Sequence, residues 1–589
     1  MSTAACFARG SGPSADRPDL SYHRRQPFPT ETLKVTLPLL AISVVVLLVV
    51  GYRFYGSLVA RQFALDDGTP TCAETHADGV DFVATRPFYL FGQHFSAIAA
   101  AGPIAGPILA CQAFGWLPCL LWIGFGVVLI GAVHDFASLA ASLKHGGVSI
   151  AEMTRTHLGT RAGRAVVAFI WIALVYVIIA FTDITAGTFV SGSEELAGTA
   201  SSFNPGGAVA AASTMYLALA LVMGLVERFL RPPLWLTTAV FVPATFAMAW
   251  VGTLVSHYFI LSHTGWSLLI LLYCVVASML PVGWLLQPRG YLGGFVLYAA
   301  IGAGILGIFF GGYEIQQPAF VTWNTGALNG SLFPFLFVTI ACGACSGFHG
   351  LVCSGTTSKQ IAKSSHAKPI GYGAMLAEGF VALIALVTVM IVAPAALTGL
   401  APGTIYGNSI GRFLTIIIGE QNLPFAITFG AMAFSTFVFD TIDVSTRLGR
   451  LLVQELFGWK GASGAVAGTL ITVGPPAYFV LVGGPGSWSR FWTLFGASNQ
   501  LLAALTLLTI TVWLSKSNKR TVYTLVPTVF MFAITFWALG TLAFGNFRVA
   551  SGLDVAAING VAATVLVVLA VFVVGAAVVT VRQQRNAQL

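Results

Sequence analysis

Charge is what this chain has least of. Asp, Glu, Lys and Arg make up 8% of its 589 residues, while 57% are hydrophobic; a soluble domain carries roughly 25% charged residues. Long apolar runs need a solvent other than water, so the chain reads as an all-α polytopic membrane protein embedded in lipid. No stretch between the runs is long and polar enough for a soluble domain. Basic residues exceed acidic ones by 29 to 21, but the excess is scattered over short loops, which reads as membrane topology and excludes a nucleic-acid partner. The sequence also lacks a GxxxxGK[ST] nucleotide loop, an HExxH helix and a GxGD aspartate pair. ATP-driven transport and intramembrane hydrolysis therefore lack their residues, and neither an enzyme activity nor a cofactor is expected. Six of the eight cysteines lie in apolar runs, where a thiol packs as a small hydrophobe, and no structural disulfide is expected. Residues 1–32 are polar and lack an apolar core, so they read as a disordered tail and not as a cleaved signal.

About 20 mainly apolar residues span a bilayer. On that measure the chain contains about 15 segments, roughly 33–55, 91–115, 117–143, 163–190, 208–228, 233–255, 266–287, 291–312, 332–354, 371–398, 423–441, 461–482, 490–515, 522–545 and 555–581. Lys144, Arg155, Arg161 and Arg164 share one loop, Arg228 and Arg231 another, and Arg289, Lys359, Lys363, Lys368, Arg447, Arg450, Lys460, Lys516, Lys519 and Arg520 follow. With 15 spans these fall on one side, which is expected to be cytoplasmic, with the C-terminal tail 582–589 on that side. Opposite loops such as EIQQPAFVTWNTGALNG hold no Lys or Arg. The leading helix 33–55 is the exception, because Arg17, Arg24, Arg25 and Lys34 precede it on the outer side of the same count.

Proline and glycine interrupt two of these runs. The second contains AGPIAGP, roughly 16–24 Å into the span at 1.5 Å per residue and so near the midplane. Pro103 and Pro107 each remove a backbone N–H and disfavour helix at Gly102 and Gly106, which tolerate almost any backbone angles. Backbone groups freed inside a membrane have to face protein or a wet cavity. The seventh run ends with Pro281, Gly283, Trp284, Gln287 and Pro288. Paired interruptions in spans of opposite direction point to a binding site between inverted repeats. The expected core is 91–441, divided into five-helix repeats 91–255 and 266–441, with four additional helices over 461–581.

Several segments resemble the carbon starvation protein A (CstA) family of bacterial inner-membrane transporters. They are YRFYG (52–56), FGQHFSAIAAAGPIAGP (91–107), GAVHDF (131–136), GWLLQPRGYL (283–292), FPFLFVTIACGACSGFHGLVCSGTTSKQ (333–360), IGYGAMLAEG (370–379), TRLGR (446–450) and LFGASNQLLAAL (494–505). The resemblance implies uptake of a small-molecule substrate, a peptide or a carboxylate such as pyruvate, together with protons. It also implies an inverted 5+5 repeat related to LeuT and the amino acid-polyamine-organocation transporters. The chain departs from the family's usual His-His pair at Gln93-His94, and it has one span fewer ahead of YRFYG.

Ionisable groups within spans are costly and mark ion paths by default. His134 and Asp135 lie roughly 12 Å from the inner end of the third span, and Glu378 about 10 Å inside the tenth. Asp183 sits in the outer half of the fourth span, and His94 opens the interrupted one. Asp440, Asp443 and Arg447 stand at i, i+3 and i+7, so Asp443 is expected to pair with Arg447 one turn on. Cys342, Cys345, His349 and Cys353 share a helical face, yet eleven residues rise about 16 Å, too far for one tetrahedral zinc. That stretch reads as a small-residue packing face, and no metal is expected. Ser354, Thr356 and Thr357 at its inner end offer hydroxyls that could hold Na+, so H+ and Na+ both stand as candidate coupling ions.

Overall fold

A computed structural model describes residues 35–78, 82–190, 203–326, 330–484, 486, 488–552 and 554–588. The expected tail 1–32 lies outside the described residues, and Thr36–Leu589 forms one compact unit. Helices account for almost every described segment, with only two isolated β-bridges among the described residues. In chain order those of eight residues or more are α1 Leu37–Phe63, α2 Pro87–Ile98, α3 Gly102–Phe114, α4 Trp116–Lys144, α5 Ile150–Leu158, α6 Thr160–Val190, α7 Pro205–Phe229 and α8 Leu234–Tyr258. Then come α9 His263–Met279, α10 Leu286–Phe310, α11 Leu332–Thr339, α12 Gly347–Gly355, α13 Ser364–Met390 and α14 Pro402–Ile418. The last five are α15 Glu420–Phe457, α16 Gly461–Gly483, α17 Trp488–Lys516, α18 Val522–Val549 and α19 Val555–Asn586.

Among the described residues, 12 helices are long and apolar enough to cross a membrane, or up to 13 with the bent pair α2–α3 as one span. The count of about 15 differs because α9 has only 17 residues and the 332–354 run is divided into α11 and α12 by seven non-helical residues. α14 was not foreseen: its glycines and its Asn408 and Arg412 dilute the apolar signal that a window of span length detects.

Burial separates core from periphery. The most apolar windows of α6, α13, α15 and α17 are 78–94% buried, whereas those of α1, α8 and α19 are 22–28% buried and present Val, Leu and Phe side chains to lipid. Helix pairs recur in matched sets. α3 packs on α13 and α12 on α4; α6 lies against α15; α6 meets α17 while α15 meets α10; α9 packs on α16. The short helix α5 leans on α6 as α14 leans on α15. α7 and α8 pack mainly on each other.

The expected interruption at 281–288 is not inside a span. α9 ends at Met279, Val282–Trp284 forms a single tight turn, and α10 begins at Leu286. Pro281, Gly283 and Trp284 thus make an inter-helix connection, with Gln287 in the first turn of α10. Trp284 packs there under Arg228, whose guanidinium carbon lies 5.5 Å from the ring centroid. Arg289, expected in a cytoplasmic loop, is 1% exposed within α10.

Candidate functional site

Two helix breaks face each other. The first lies at residues 99–101, between α2 and α3, which meet at 44°. It therefore ends at Ala101, the first residue of AGPIAGP. Gly102 and Pro103 start the new helix, where a proline needs no N–H partner, and Pro107 stays helical within α3. Because Pro107 cannot donate, the Pro103 carbonyl loses its helical partner at the mouth of the break. Gly102 and Gly106 are required by closeness: a Cβ on Gly102 would collide with the Cys342 thiol, and one on Gly106 would stand 2.6 Å from the Thr339 carbonyl oxygen.

The second break is residues 340–346, between α11 and α12. α17 satisfies its loose backbone. Asn499 Oδ1 accepts from Phe348 N at 2.9 Å and Ser346 Oγ at 3.3 Å, while Gln500 Nε2 donates to Phe337 O at 2.8 Å and Trp492 Nε1 to Thr339 O at 3.2 Å. This is what the segment LFGASNQ does, and its Asn and Gln in an apolar run were the signal available in the sequence. Ala100, Gly102, Phe181, Ser346, Thr441 and Asn499 line the space between the breaks, which measures only about 20 Å³. That holds about one water. The site is closed in this structure, and any solute larger than water requires the breaks to move apart.

Behind the second break lies a buried polar cluster. Asp135 Oδ1 accepts from His134 Nδ1 at 2.8 Å, and Asp135 Oδ2 accepts from His349 Nδ1 at 2.9 Å. His349 Nε2 reaches Glu378 Oε2 at 3.3 Å. All four side chains are at most 2% exposed. His349 itself borders the space between the breaks, so α4, α12 and α13 converge on one imidazole flanked by two carboxylates. Adjacent residues on a helix face about 100° apart, yet His134 and Asp135 do touch, because Nδ1 reaches around to its neighbour. His349 was weighed in the sequence only as a zinc ligand; its link to Asp135 joins residues 214 apart in sequence, which spacing does not encode. Among the described residues no three His, Cys, Asp or Glu side chains are arranged so that they could hold a metal ion together.

The other sequence candidates sit elsewhere. His94 bonds Thr357 Oγ1 through Nδ1 at 2.8 Å, which ties α2, the first half of the first broken helix, to the segment just after α12. Ser354 Oγ donates to Gly350 O at 2.6 Å and accepts from Ile150 N at 3.2 Å, while Thr356 is exposed, so the three hydroxyls do not converge on a common point. Asp183 accepts from Trp488 N at 2.6 Å and meets His263 Nε2 at 3.0 Å, pinning α6 to the starts of α9 and α17. Asp443 does not pair with Arg447. It pairs with Arg289, accepts from Tyr273 Oη at 2.6 Å, and shares Arg289 with Asp440 at 2.5 Å. Arg447 instead donates to the Ala277 and Leu280 carbonyls, and Arg450 to Ser278 O, which closes the C-terminal end of α9. The buried guanidinium of Arg289 is the stronger partner because it has no water to compete for it.

A model of the family described as Carbon starvation protein CstA matches residues 36–412 and 401–538. The chain is 35% identical to "Peptide transporter CstA" of Helicobacter pylori (strain J99), covering 83% of this chain and 79% of that protein. It is 32% identical to "Pyruvate/proton symporter BtsT" of Escherichia coli K12, covering 86% and 82%. Among solved structures, the Eremococcus coleocola manganese transporter matches with a TM-score of 0.46 and 13% identity, covering 87% of this chain and 99% of that one.

Proposed function

Since the chain belongs to the carbon starvation protein CstA family, we propose that it is a secondary active transporter of a peptide or a small carboxylate such as pyruvate, driven by protons in a bacterial inner membrane. The observation that supports this most directly is the Asp135–His349–Glu378 chain, which abuts the space between the two breaks. His349 can pass a proton to either carboxylate without leaving a lone charge in a dry interior, where an unpaired ion costs several kcal/mol. Movement of the 340–346 break carries His349 with it, so opening the substrate space and rearranging the proton chain are one event. This is the linkage a symporter needs.

Matched helix packing supports a regrouping of the two repeats. We assign the first to α2–α3, α4, α6, α9 and α10 and the second to α11–α12, α13, α15, α16 and α17, in place of 91–255 and 266–441. On this grouping α7 and α8 are an inserted pair, which leaves the two halves antiparallel. Pro281, Gly283, Trp284 and Gln287 then lie outside the substrate site, which Gly102 and Pro103 border. The test is counterflow and pH-driven uptake in proteoliposomes with pyruvate, dipeptides and amino acids. Exchange of a carboxylate or dipeptide, with accumulation under an imposed inward proton gradient, is expected. Accumulation that needs Na+ and ignores pH refutes the proton reading.

A further inference from the structure

The motif YRFYG takes no part in the site above, and the structure sets it against the start of α13. α1, α4 and α13 each carry a π-helical turn, at Gly51–Tyr55, Trp122–Gly131 and Lys368–Gly373. The three turns meet. Tyr372 Oη donates to Val128 O at 2.8 Å, a Cβ on Gly51 would stand 2.6 Å from Val128 Cγ1, and one on Gly56 would stand 3.0 Å from the Tyr372 ring. Turns of this kind inside α-helices recur at functional sites.

At the rim of this seam α1 faces lipid. Its most apolar window is only 28% buried, with Phe54 66% and Leu58 45% exposed, and Arg53 is exposed beside them. Ser57 Oγ donates to the Arg53 carbonyl at 2.6 Å and accepts from Lys368 Nζ at 2.8 Å. Arg53 and Ser57 stand one turn apart on the same side of α1, so cations from two helices flank one hydroxyl. Lys368 Nζ also lies 4.3 Å from the centre of the Tyr52 ring. Among the described residues neither cation forms an ion pair.

Depth and surroundings decide the occupant. Counted from Leu37 at 1.5 Å per residue, Arg53 lies about 24 Å along a helix whose apolar crossing takes about 30 Å, so its long side chain reaches the far phosphate layer. Lys368 belongs to the Lys- and Arg-rich side, which makes that layer the cytoplasmic leaflet. A guanidinium beside an ammonium suits a phosphate. A soluble anion at this place would have to push between Phe54, Leu58 and the acyl chains, whereas a phospholipid brings chains that lie on those side chains. A choline or ethanolamine headgroup would set its own ammonium against two cations, so the headgroup has to leave a net negative charge. We propose that an anionic phospholipid of the inner leaflet binds at the α1–α13 seam, its phosphate on Arg53 and Lys368 and its chains along Phe54 and Leu58. The lipid thereby ties α1 to α13, the helix that carries Glu378 ten residues beyond Lys368. This binding does not depend on the transport reading.

The test takes full-length protein in nanodiscs of mixed phosphatidylcholine and phosphatidylglycerol, releases it for native mass spectrometry and counts the lipid retained. The unsubstituted chain is expected to retain phosphatidylglycerol over phosphatidylcholine. Arg53→Gln is expected to lower that retention about fivefold, and Arg53→Gln with Lys368→Gln about tenfold or more. Arg61→Gln removes another exposed cation of α1 and is expected to change retention by less than about twofold. No preference for phosphatidylglycerol, or unchanged retention in the Arg53→Gln and double variants, overturns the site. Equal loss in Arg61→Gln overturns it as well, because diffuse surface charge then explains the binding. Release of the retained lipid by millimolar glycerol 3-phosphate or inorganic phosphate overturns the lipid as occupant in favour of a soluble anion. If the double variant does not assemble, Arg53→Gln, at an exposed position, decides.

Discussion

Glu378→Gln separates proton coupling from substrate movement more cleanly than any other change in the cluster. Glu378 is 0% exposed, and among the described residues its carboxylate meets His349 Nε2 at 3.3 Å without a hydrogen bond at normal geometry. Gln keeps the volume and offers an amide N–H to that nitrogen, so the expected loss of stability is at most about 1 kcal/mol. Glu378→Ala adds a cavity and strands His349, costing about 2–4 kcal/mol. Asp135→Asn is a poorer probe, because Asp135 accepts from two imidazoles and Asn must turn a donor towards one of them. With one proton per substrate, each unit of pH difference supplies about 1.4 kcal/mol and an accumulation ratio of about tenfold. Glu378→Gln fixes the neutral form, so the ratio should fall to about one while counterflow continues at a comparable rate. Proteoliposomes with an imposed pH step measure both. A Glu378→Gln protein that still accumulates substrate about tenfold per pH unit would show that Glu378 only fills space.

Gly106→Ala places a Cβ 2.6 Å from Thr339 O and should cost about 1–3 kcal/mol by overpacking; Gly106→Leu should abolish uptake per molecule inserted in the membrane, and normal uptake by it would reject the contact between breaks. Asp443→Ala leaves Arg289 to Asp440 alone, an expected loss of about 3–5 kcal/mol that a thermal melt in detergent would read. A reporter at Lys363 should lie on the cytoplasmic side and one at Asn324 on the outer side, and the reverse result would overturn the orientation. On the loop side of α5, His157 meets His145 Nε2 at 2.8 Å, and burial, His145 and Lys516 push its pKa down to about 4. A depressed histidine contributes stability above its unfolded pKa near 6.5 that is lost as pH falls towards 4. The half-exposed site reduces this to about 1–2 kcal/mol, and His157→Gln should flatten the fall of melting temperature between pH 7 and pH 4.5.

Scarce charge and long apolar runs were enough to settle an all-helical membrane protein, because a backbone in lipid has to bond to itself and only helices of about 20 residues do so within one run. The motif around Gly102 and Pro103 also betrayed a break, since proline cannot donate and glycine permits close approach. Its position at 99–101, just ahead of Gly102 and Pro103, came from tertiary packing: α3 as a helix brings Gly106 against Thr339 and Ile340 beside the second break, and that contact outweighs the hydrogen bond lost at Pro107. The partner break at 340–346 was hidden inside a run that looked like an ordinary small-residue face; it unwinds because Asn499, Gln500 and Trp492 are on hand to bond the freed backbone. Asp135 and Glu378 were legible as costly buried acids, but the histidine between them was not, because the join spans helices far apart in sequence. Likewise local spacing offered Arg447 to Asp443, and the fold delivered Arg289. Periodicity records which side of a helix is apolar. Which charges meet across a dry interior is decided only when the helices pack, since there each ion takes the partner that best replaces water.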